Sequence, residues 1–330
     1  MNSYNIYGVG NALVDLEYNV SPETLDRLGI EKGVMTLIDE VKQAEIVAAL
    51  EGAECHRACG GSAANTVVAI AQMGGKGFFS CRIGDDETGK FYLEDLTRFG
   101  IATNITPPET LNFGTTGKCL VLVTPDADRT MNTFLGVSAD ISIADLEADS
   151  IAASDYVYIE GYLVSSDSAR ATAIRTRELA RENHTKVAFT LSDPNMVKFF
   201  KTGLLEIIGD GVDLLFANEA EAIEMAGASS LDDAIAYLKT IAQAFVITLG
   251  AEGSIIYDGH HLHTIAPQPV TAIDTVGAGD MYAGAFLYGI THGLDYPATG
   301  QLASRASAKI VTKYGPRLSD AEIQDLLAQS

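Results

Sequence analysis

The 330-residue chain contains no tryptophan, only four cysteines, and half as many basic as acidic side chains, 22 Lys and Arg against 44 Asp and Glu. The formal net charge of −22 argues against a general nucleic-acid or anionic-membrane surface, so any anion site must be built locally. Cys55, Cys59, Cys81 and Cys119 are too few and too irregularly spaced for a disulfide framework. A metal site in CHRAC (55–59) would need a second CxxC or HxxxH pair, so incidental or buried thiols are the better interpretation.

Long apolar runs are also absent from the sequence. No stretch approaches the roughly 20 apolar residues that span a bilayer, and the first ten residues carry no basic segment followed by an apolar one. We therefore expect a cytoplasmic protein with neither membrane nor nucleic-acid partners. A hydrophobic content of 47% in a chain of this length favours one large α/β domain with an elaboration, or at most two domains.

Apolar, β-rich runs alternate with helical stretches over most of the chain, separated by short glycine or aspartate breaks. This alternation predicts an α/β fold with a mainly parallel sheet and helices on both faces. Two segments interrupt it, 13–38 and 104–136, and both carry extended runs around turns or a short helix. We predict that these two segments form a small β-rich lid, and that 1–12, 39–103 and 137–330 form the α/β core.

Two glycine-containing loops resemble nucleotide-binding motifs but depart from them. GVGNAL (8–13) has Leu13 where a dinucleotide-binding fingerprint has its third glycine, which disfavours an NAD oxidoreductase. GDDETGKF (84–91) has P-loop spacing, yet Phe91 stands in place of the magnesium-binding hydroxyl and three carboxylates fill the loop. We interpret this second loop as a surface turn.

DTVGAGD (274–280) is a stronger candidate. It follows a short apolar run and precedes MYAGAFLYGITHG, a predicted buried helix that ends at Gly293. Unpaired N–H groups and the helix dipole at such a start attract phosphate, and glycines let it approach the backbone. A capped tight turn would also explain the glycines, but it gains nothing from Asp280. A kinase does, because its acceptor hydroxyl must lose a proton near the transferred phosphoryl group.

The chain resembles the PfkB family of carbohydrate and nucleoside kinases, also called the ribokinase family. DTVGAGDMYAGAF (274–286) is similar to the family's second signature, and residues 60–92, beginning GGSAANTVVAIAQMGG, are similar to the first. About 180 residues separate the two, in the family's order. The resemblance extends over nearly the whole chain and implies a ribokinase-like core with a β lid.

The resemblance implies roles for residues on the acceptor side. Asp280 corresponds to the catalytic base, and the backbone at Gly277, Ala278 and Gly279 corresponds to the anion hole. Asp15, with Asn11 close by, falls where the family has an aspartate that accepts two sugar hydroxyls. Gly60 and Gly61 match the hinge of the lid, and Asn65 matches a substrate-binding asparagine. A strand-end cap is an alternative for Asp15, and without the resemblance Ser62 would be the cap of a helix.

On the nucleotide side, the resemblance implies ATP and Mg²⁺. Asn218 and Glu221 match the family's NxxE motif, with Glu221 holding magnesium through water; a helix cap is an equal alternative for this pair. The other positions implied to lie near ATP are Thr248, Gly250, Gly253, Thr275 and Ser304. Ser304 departs from the asparagine or histidine common in the family, which weakens its assignment. Asp274 is expected to order the loop, and a monovalent cation near it is a further expectation.

Several segments, among them FGTTGKCLVLVT and YIEGYL, resemble the adenosine kinase branch more than the sugar kinases. In that branch Phe113, Cys119, Tyr162 and Leu163 correspond to wall residues around the base, and an apolar wall suits a nucleobase. Core packing is the alternative for each. Arg129 in the lid could close over the phosphates, with a solvated hairpin arginine equally consistent with the sequence.

We therefore expect an ATP- and Mg²⁺-dependent kinase that phosphorylates the 5′-hydroxyl of adenosine or a related nucleoside. A sugar kinase acting on ribose, fructose or 2-dehydro-3-deoxygluconate is the alternative within the same family. A non-catalytic nucleotide sensor is disfavoured by the presence of Asp280. Both a monomer and a homodimer are compatible with the sequence.

Overall fold

The computed structural model describes residues 3–105, 113–126 and 129–328. The strands are β1 (Tyr4–Val9), β2 (Leu13–Asn19), β3 (Met35–Leu37), β4 (Cys55–Gly60), β5 (Gly77–Ser80), β6 (Ala102–Thr103), β7 (Thr116–Val123), β8 (Arg129–Gly136), β9 (Ser154–Glu160), β10 (Lys186–Thr190), β11 (Val212–Asn218), β12 (Ala242–Thr248), β13 (Ser254–Tyr257) and β14 (Leu262–Ile265). The helices are α1 (Pro22–Leu28), α2 (Glu40–Ala49), α3 (Ser62–Gln72), α4 (Glu87–Arg98), α5 (Ala148–Ala152), α6 (Asp167–Glu182), α7 (Pro194–Ile208), α8 (Glu219–Ala226), α9 (Leu231–Leu238), α10 (Ala278–Thr291), α11 (Tyr296–Ile310) and α12 (Asp320–Ala328).

The larger sheet has nine strands in the order β14-β13-β12-β11-β10-β9-β1-β5-β6. All its neighbours pair in parallel except β12 with β13 and β13 with β14, which are antiparallel at one edge. The central strands are apolar on both faces, because helices cover both: Tyr158 and Phe216 pack with α3, α10 and α11, whereas Ile159 and Leu215 pack with α6 to α9. The predicted α/β architecture is confirmed.

A second sheet has five strands in the order β3-β8-β7-β2-β4. Helices α1 and α2 cover one of its faces through a cluster that includes Tyr18, Leu25, Ile46 and Leu120. The opposite face presents alternate residues of β2, β7 and β8 to the larger sheet, and Asp15 lies beside Cys119 in the parallel pairing of β2 with β7.

This second sheet extends beyond the segments predicted to form a lid. Strand β4 (Cys55–Gly60), which lies in a range assigned to the core, pairs antiparallel with β2, from Gly60 opposite Leu13 to Cys55 opposite Tyr18. Part of the segment 104–136, namely residues 106–112 and 127–128, lies outside the described residues. A division into a moving lid and a fixed core is still a prediction.

All four cysteines are free thiols, three of them buried and Cys55 exposed. The would-be P-loop is the entry to a helix, since Asp86 caps α4 by accepting from the backbone N–H of Gly89 at 2.7 Å. Across the described ranges, every helix is too short or too polar to cross a membrane.

Candidate active site

One cavity of about 410 Å³ lies between the second sheet and the carboxyl ends of the parallel strands, a volume in the range of small-molecule sites. Twelve of the residues singled out in the sequence line it: Asn11, Asp15, Gly61, Asn65, Cys119, Tyr162, Asn218, Glu221, Thr248, Gly277, Gly279 and Asp280. The second sheet contributes an apolar wall made of Leu13, Met35, Leu37, Cys119, Met131 and Leu135. The same sheet also contributes Asp15 and Thr133 to the lining, whereas Glu160, Glu221 and Asp280 come from β9, α8 and α10.

Helix α10 begins inside the glycine loop, and its first turn carries Asp280. Gly277 is its cap residue with φ of 75°, a left-handed conformation, and an added Cβ would lie 2.6 Å from Pro316. The N–H of Ala278 donates to the carbonyl of Thr275 at 3.2 Å. Within the part of the chain that the structure describes, the N–H groups of Gly277, Gly279 and Asp280 have no protein acceptor. Three donors at a helix start are thus available to an anion.

Two side chains of α3 hold the carboxylate of Asp280. The Ser62 hydroxyl donates to Oδ1 at 2.6 Å, and the Asn65 amide donates to Oδ2 at 3.0 Å. Burial raises the pKa of Asp280 to about 6, although these two hydrogen bonds and the charge of Arg317 lower it. Asp280 is therefore mainly ionised at neutral pH and poised to accept a proton. Ser62 is the first residue of α3, whose cap is Gly61, so its hydroxyl orients Asp280 instead of capping the helix.

Asp15 is the second carboxylate of the cavity. No described residue donates a hydrogen bond to its side chain, whereas most buried carboxylates are fully paired. Burial raises its pKa to about 7, with Arg317 and Arg129 lowering it and Asp280 raising it. At Gly60 an added Cβ would lie 2.6 Å from Asp15 Oδ2, so glycine is needed there to leave room for the carboxylate.

Glu160 is a third carboxylate of this cavity, which the sequence analysis did not select. It is 1% exposed and ends β9. Its oxygens accept from the Asn11 backbone N–H at 2.7 Å, the Asn11 amide at 2.9 Å and the Ala63 N–H at 2.8 Å. Burial raises its pKa to about 7. Because Gly61 has no side chain, Glu160 accepts the Ala63 N–H at the start of α3 in its place. In the sequence, a glutamate within the apolar run YVYIEGY (156–162) was the signal that could have identified Glu160 as a site residue.

Asn218 and Glu221 form a reciprocal cap at the start of α8. Asn218 donates its backbone N–H and amide to the two Glu221 oxygens at 2.9 and 2.7 Å, and accepts the Glu221 N–H at 2.8 Å. This is the helix-cap alternative, and both side chains also line the cavity. Burial raises the pKa of Glu221 to about 7. Among the described residues no group of three or more metal-binding side chains of the His, Cys, Asp and Glu types is assembled.

Arg129 lies outside the cavity lining. Its Nη2 is 2.9 Å from Asp274 Oδ2 and 3.2 Å from Glu17 Oε2, in an adjoining cleft between the second sheet and residues 314–316. Asp274 also accepts the N–H groups of Val276 at 3.1 Å and Gly315 at 3.0 Å. The guanidinium of Arg129 therefore lies beside Asp274, and a monovalent cation near Asp274 is still a prediction.

The structure places the other predicted residues away from the cavity surface. Phe113 is exposed, and Leu163 is buried in the core because the 3₁₀ turn Gly161–Ser165 points it towards the packing with α7. Gly250 and Gly253 lie in the turn after β12 with φ of 60° and 93°. The Ser304 hydroxyl donates to the Ala266 carbonyl at 3.4 Å. Thr275 is exposed at the entry to the glycine loop.

Comparison with known proteins gives relatives that include both adenosine kinases and sugar kinases. A family model described as pfkB family carbohydrate kinase matches residues 33–323. A solved structure of a probable sugar kinase from Rhizobium etli CFN 42 is 28% identical, covers 99% of both chains and has a TM-score of 0.90. The adenosine kinase from Sinorhizobium meliloti is 31% identical, covers 98% of this chain and 99% of its own, and has a TM-score of 0.89. The adenosine kinase of Saccharomyces cerevisiae is 26% identical over 96% of this chain and 97% of its own.

Proposed function

Because the chain belongs to the pfkB family of carbohydrate kinases, we propose that it transfers the γ-phosphoryl group of ATP to the 5′-hydroxyl of adenosine or a related nucleoside. One observation carries the proposal: Asp280 is held by Ser62 and Asn65 beside helix-start N–H groups for which no described residue is an acceptor. A base and an anion site at one helix start are the two things that phosphoryl transfer to an alcohol requires.

In this proposal Asp280 accepts the proton of the attacking hydroxyl. The N–H groups of Gly277 and Gly279 then stabilise the charge that develops on the transferred phosphoryl oxygens. Asp15, whose carboxylate has no donor among the described residues, accepts hydrogen bonds from the acceptor's vicinal hydroxyls. The second sheet, placed over the cavity, excludes water that would otherwise hydrolyse ATP.

ATP would enter from the side of Thr248, at the end of β12, with its phosphates towards the glycine loop. Magnesium suits this site, since it keeps several waters and needs few protein ligands. Glu221 is the residue that would hold it through water, with both carboxylate oxygens already oriented by Asn218. Bound magnesium would supply charge neutralisation between the phosphate oxygens.

The apolar wall favours a nucleoside over a free sugar. Leu13, Leu37, Cys119, Met131 and Leu135 give a flat base an apolar surface, whereas a free sugar would need hydrogen-bonding groups there. A nucleoside kinase of this kind would act in purine salvage. A sugar kinase is the second candidate, because the probable sugar kinase has a TM-score of 0.90 at 28% identity, against 0.89 at 31% identity for the Sinorhizobium meliloti adenosine kinase.

An acceptor panel tests the proposal. ATP consumption and the phosphorylated product are measured with adenosine, inosine, guanosine, ribose, fructose and 2-dehydro-3-deoxygluconate. We expect the highest kcat/KM with adenosine and AMP as product. Higher kcat/KM with one of the sugars would replace the nucleoside proposal by the sugar kinase. Phosphorylation of none of these acceptors would refute both proposals.

A further inference from the structure

Arg317, from a distant part of the chain, is linked to the candidate base through Asn65. It lies between α11 and α12, its Nε donates to Asn65 Oδ1 at 3.1 Å, and its Nη1 pairs with Asp95 of α4. The side chains of Arg317 and Asp95 are 13% and 17% exposed. Asn65 in turn donates to Asp280. Asp95, Arg317, Asn65 and Asp280 therefore form one continuous chain of hydrogen bonds.

The guanidinium decides which way the Asn65 amide points. A guanidinium can only donate, so the amide oxygen must face Arg317 and the amide N–H₂ must face Asp280. With Arg317 absent, the amide is free to turn over and present its oxygen to the carboxylate, which would replace a hydrogen bond by a repulsion between two acceptors. Orientation of Asn65 is thus set by a residue 252 positions away in sequence.

The charges around Asp280 make this cation important. Asp15 on β2 and Glu160 on β9 are acidic neighbours of Asp280. Arg317 is the cation that lowers the pKa of Asp280, and it lowers the pKa of Asp15 more than Arg129 does. The titratable and charged groups that face Asp280 are Asp15, Tyr158, Glu160, Tyr162 and Arg317.

We propose that Arg317 is a positioning residue for the base: it fixes the donor orientation of Asn65 and keeps Asp280 ionised among acidic neighbours. The proposal rests on the proposed function in taking Asp280 as the base. It adds a residue that contacts neither the cavity surface nor Asp280 directly.

The test compares Arg317→Met, Arg317→Lys and the double variant Arg317→Met with Asp95→Leu. The double variant removes both charges, so that no unpaired carboxylate is left if the single variant folds poorly. Arg82→Met is the matched control, because Arg82 is also a largely buried arginine beside a carboxylate, Asp145, outside the cavity lining. Thermal unfolding confirms the fold of each variant.

We expect the acid limb of the kcat/KM profile to move upward by about 0.5 to 1 pH unit in both Met variants. Activity relative to the unsubstituted enzyme should then fall about two- to fivefold more at pH 6 than at pH 8.5. Arg317→Lys, which keeps the charge, should leave the limb in place with a lower kcat, and Arg82→Met should leave the profile unchanged. Equal losses at all pH values, or an unmoved limb in both Met variants, would overturn the proposal.

A second readout needs no activity. Carbon-13 labelling of aspartate carboxyls, with the Asp280 signal assigned from Asp280→Asn, follows the titration of Asp280 directly. The signal should titrate at higher pH in the Met variants, and an unchanged midpoint would overturn the proposal. If no acceptor is phosphorylated, the proposed function fails, while this titration still decides whether Arg317 controls the ionisation of Asp280.

Discussion

The guanidinium of Arg129 lies 2.9 Å from the carboxylate of Asp274. Arg129 begins β8 of the second sheet, and Asp274 precedes the glycine loop that starts α10. The side chains are 13% and 2% exposed, so this ion pair joins the second sheet to the glycine loop in a buried setting.

Arg129→Met should destabilise the protein by about 3 to 5 kcal/mol, because it leaves a buried carboxylate without its charged partner. Urea unfolding measures the loss. The control is Arg57→Met in the same sheet, whose partner Glu87 has an 88% exposed side chain and whose ion pair should contribute less than about 1 kcal/mol. Equal losses in the two variants would contradict a structural role for the Arg129 pair.

Asp15→Asn should stabilise the ligand-free protein more at pH 8 than at pH 5. The pKa of Asp15 is about 7 in the folded state and about 3.9 when unfolded, so the folded state binds more protons between these values. The contribution of Asp15 to the free energy of unfolding is fully present below about pH 4 and is lost as the pH rises through about 7. Thermal unfolding of Asp15→Asn and of the unsubstituted protein from pH 5 to pH 8 measures the difference in stability. In a separate experiment, calorimetry should show that Asp15→Asn has lost acceptor binding. A Tm difference that does not change with pH would contradict the assignment.

Gly61→Ala should both destabilise the protein and lower turnover. Gly61 has φ of 92°, and an added Cβ would lie 2.3 Å from the Asn11 carbonyl oxygen, so α3 and its Ser62 must shift away from Asp280. Gly74→Ala is the control, since Gly74 has φ of 99° but nothing within 4 Å of the added atom. The control should show only the backbone strain, about 1 to 3 kcal/mol, with normal kcat. The same kcat in both variants would show that the position of α3 does not matter for the base.

Cys119→Phe should raise the KM for adenosine about tenfold or more, with little change in the KM for ATP. Cys119 lies on β7 in the apolar wall, where the added ring would occupy the space proposed for the nucleobase of adenosine. Val123→Phe on the same face of the same strand is the control, because Val123 lines the adjoining cleft instead of the cavity. An unchanged KM for adenosine would show that the nucleobase binds elsewhere.

The fold and the glycine loop were predictable from local pattern. Apolar strands such as VDLLFAN alternate with helices, and a glycine before Ala278 marks the helix start. Strand β4 was missed because its membership in the second sheet depends on pairing with β2, about 40 residues earlier, and no local signal encodes that pairing.

The contacts that orient the candidate base could not be predicted in the same way. Ser62 and Asn65 lie more than 200 residues from Asp280, and Arg317 joins them from a loop with no motif of its own. Phe113 and Leu163 were selected from local resemblance, and the actual direction of each side chain depends on tertiary packing. The residue types in the glycine loop indicated a base beside an anion site. The hydrogen-bond partners that orient the candidate base could be identified only from the structure.

The central claim, that Asp280 is the base of a phosphoryl transfer, is tested most directly by Asp280→Asn in a steady-state assay with ATP and the preferred acceptor. Asp295→Asn is a suitable control, because Asp295 caps α11 away from the cavity and asparagine caps equally well. The account predicts that Asp280→Asn lowers turnover by roughly 10²-fold or more while substrate binding, measured by calorimetry, is largely kept. Near-normal turnover in this variant would contradict it.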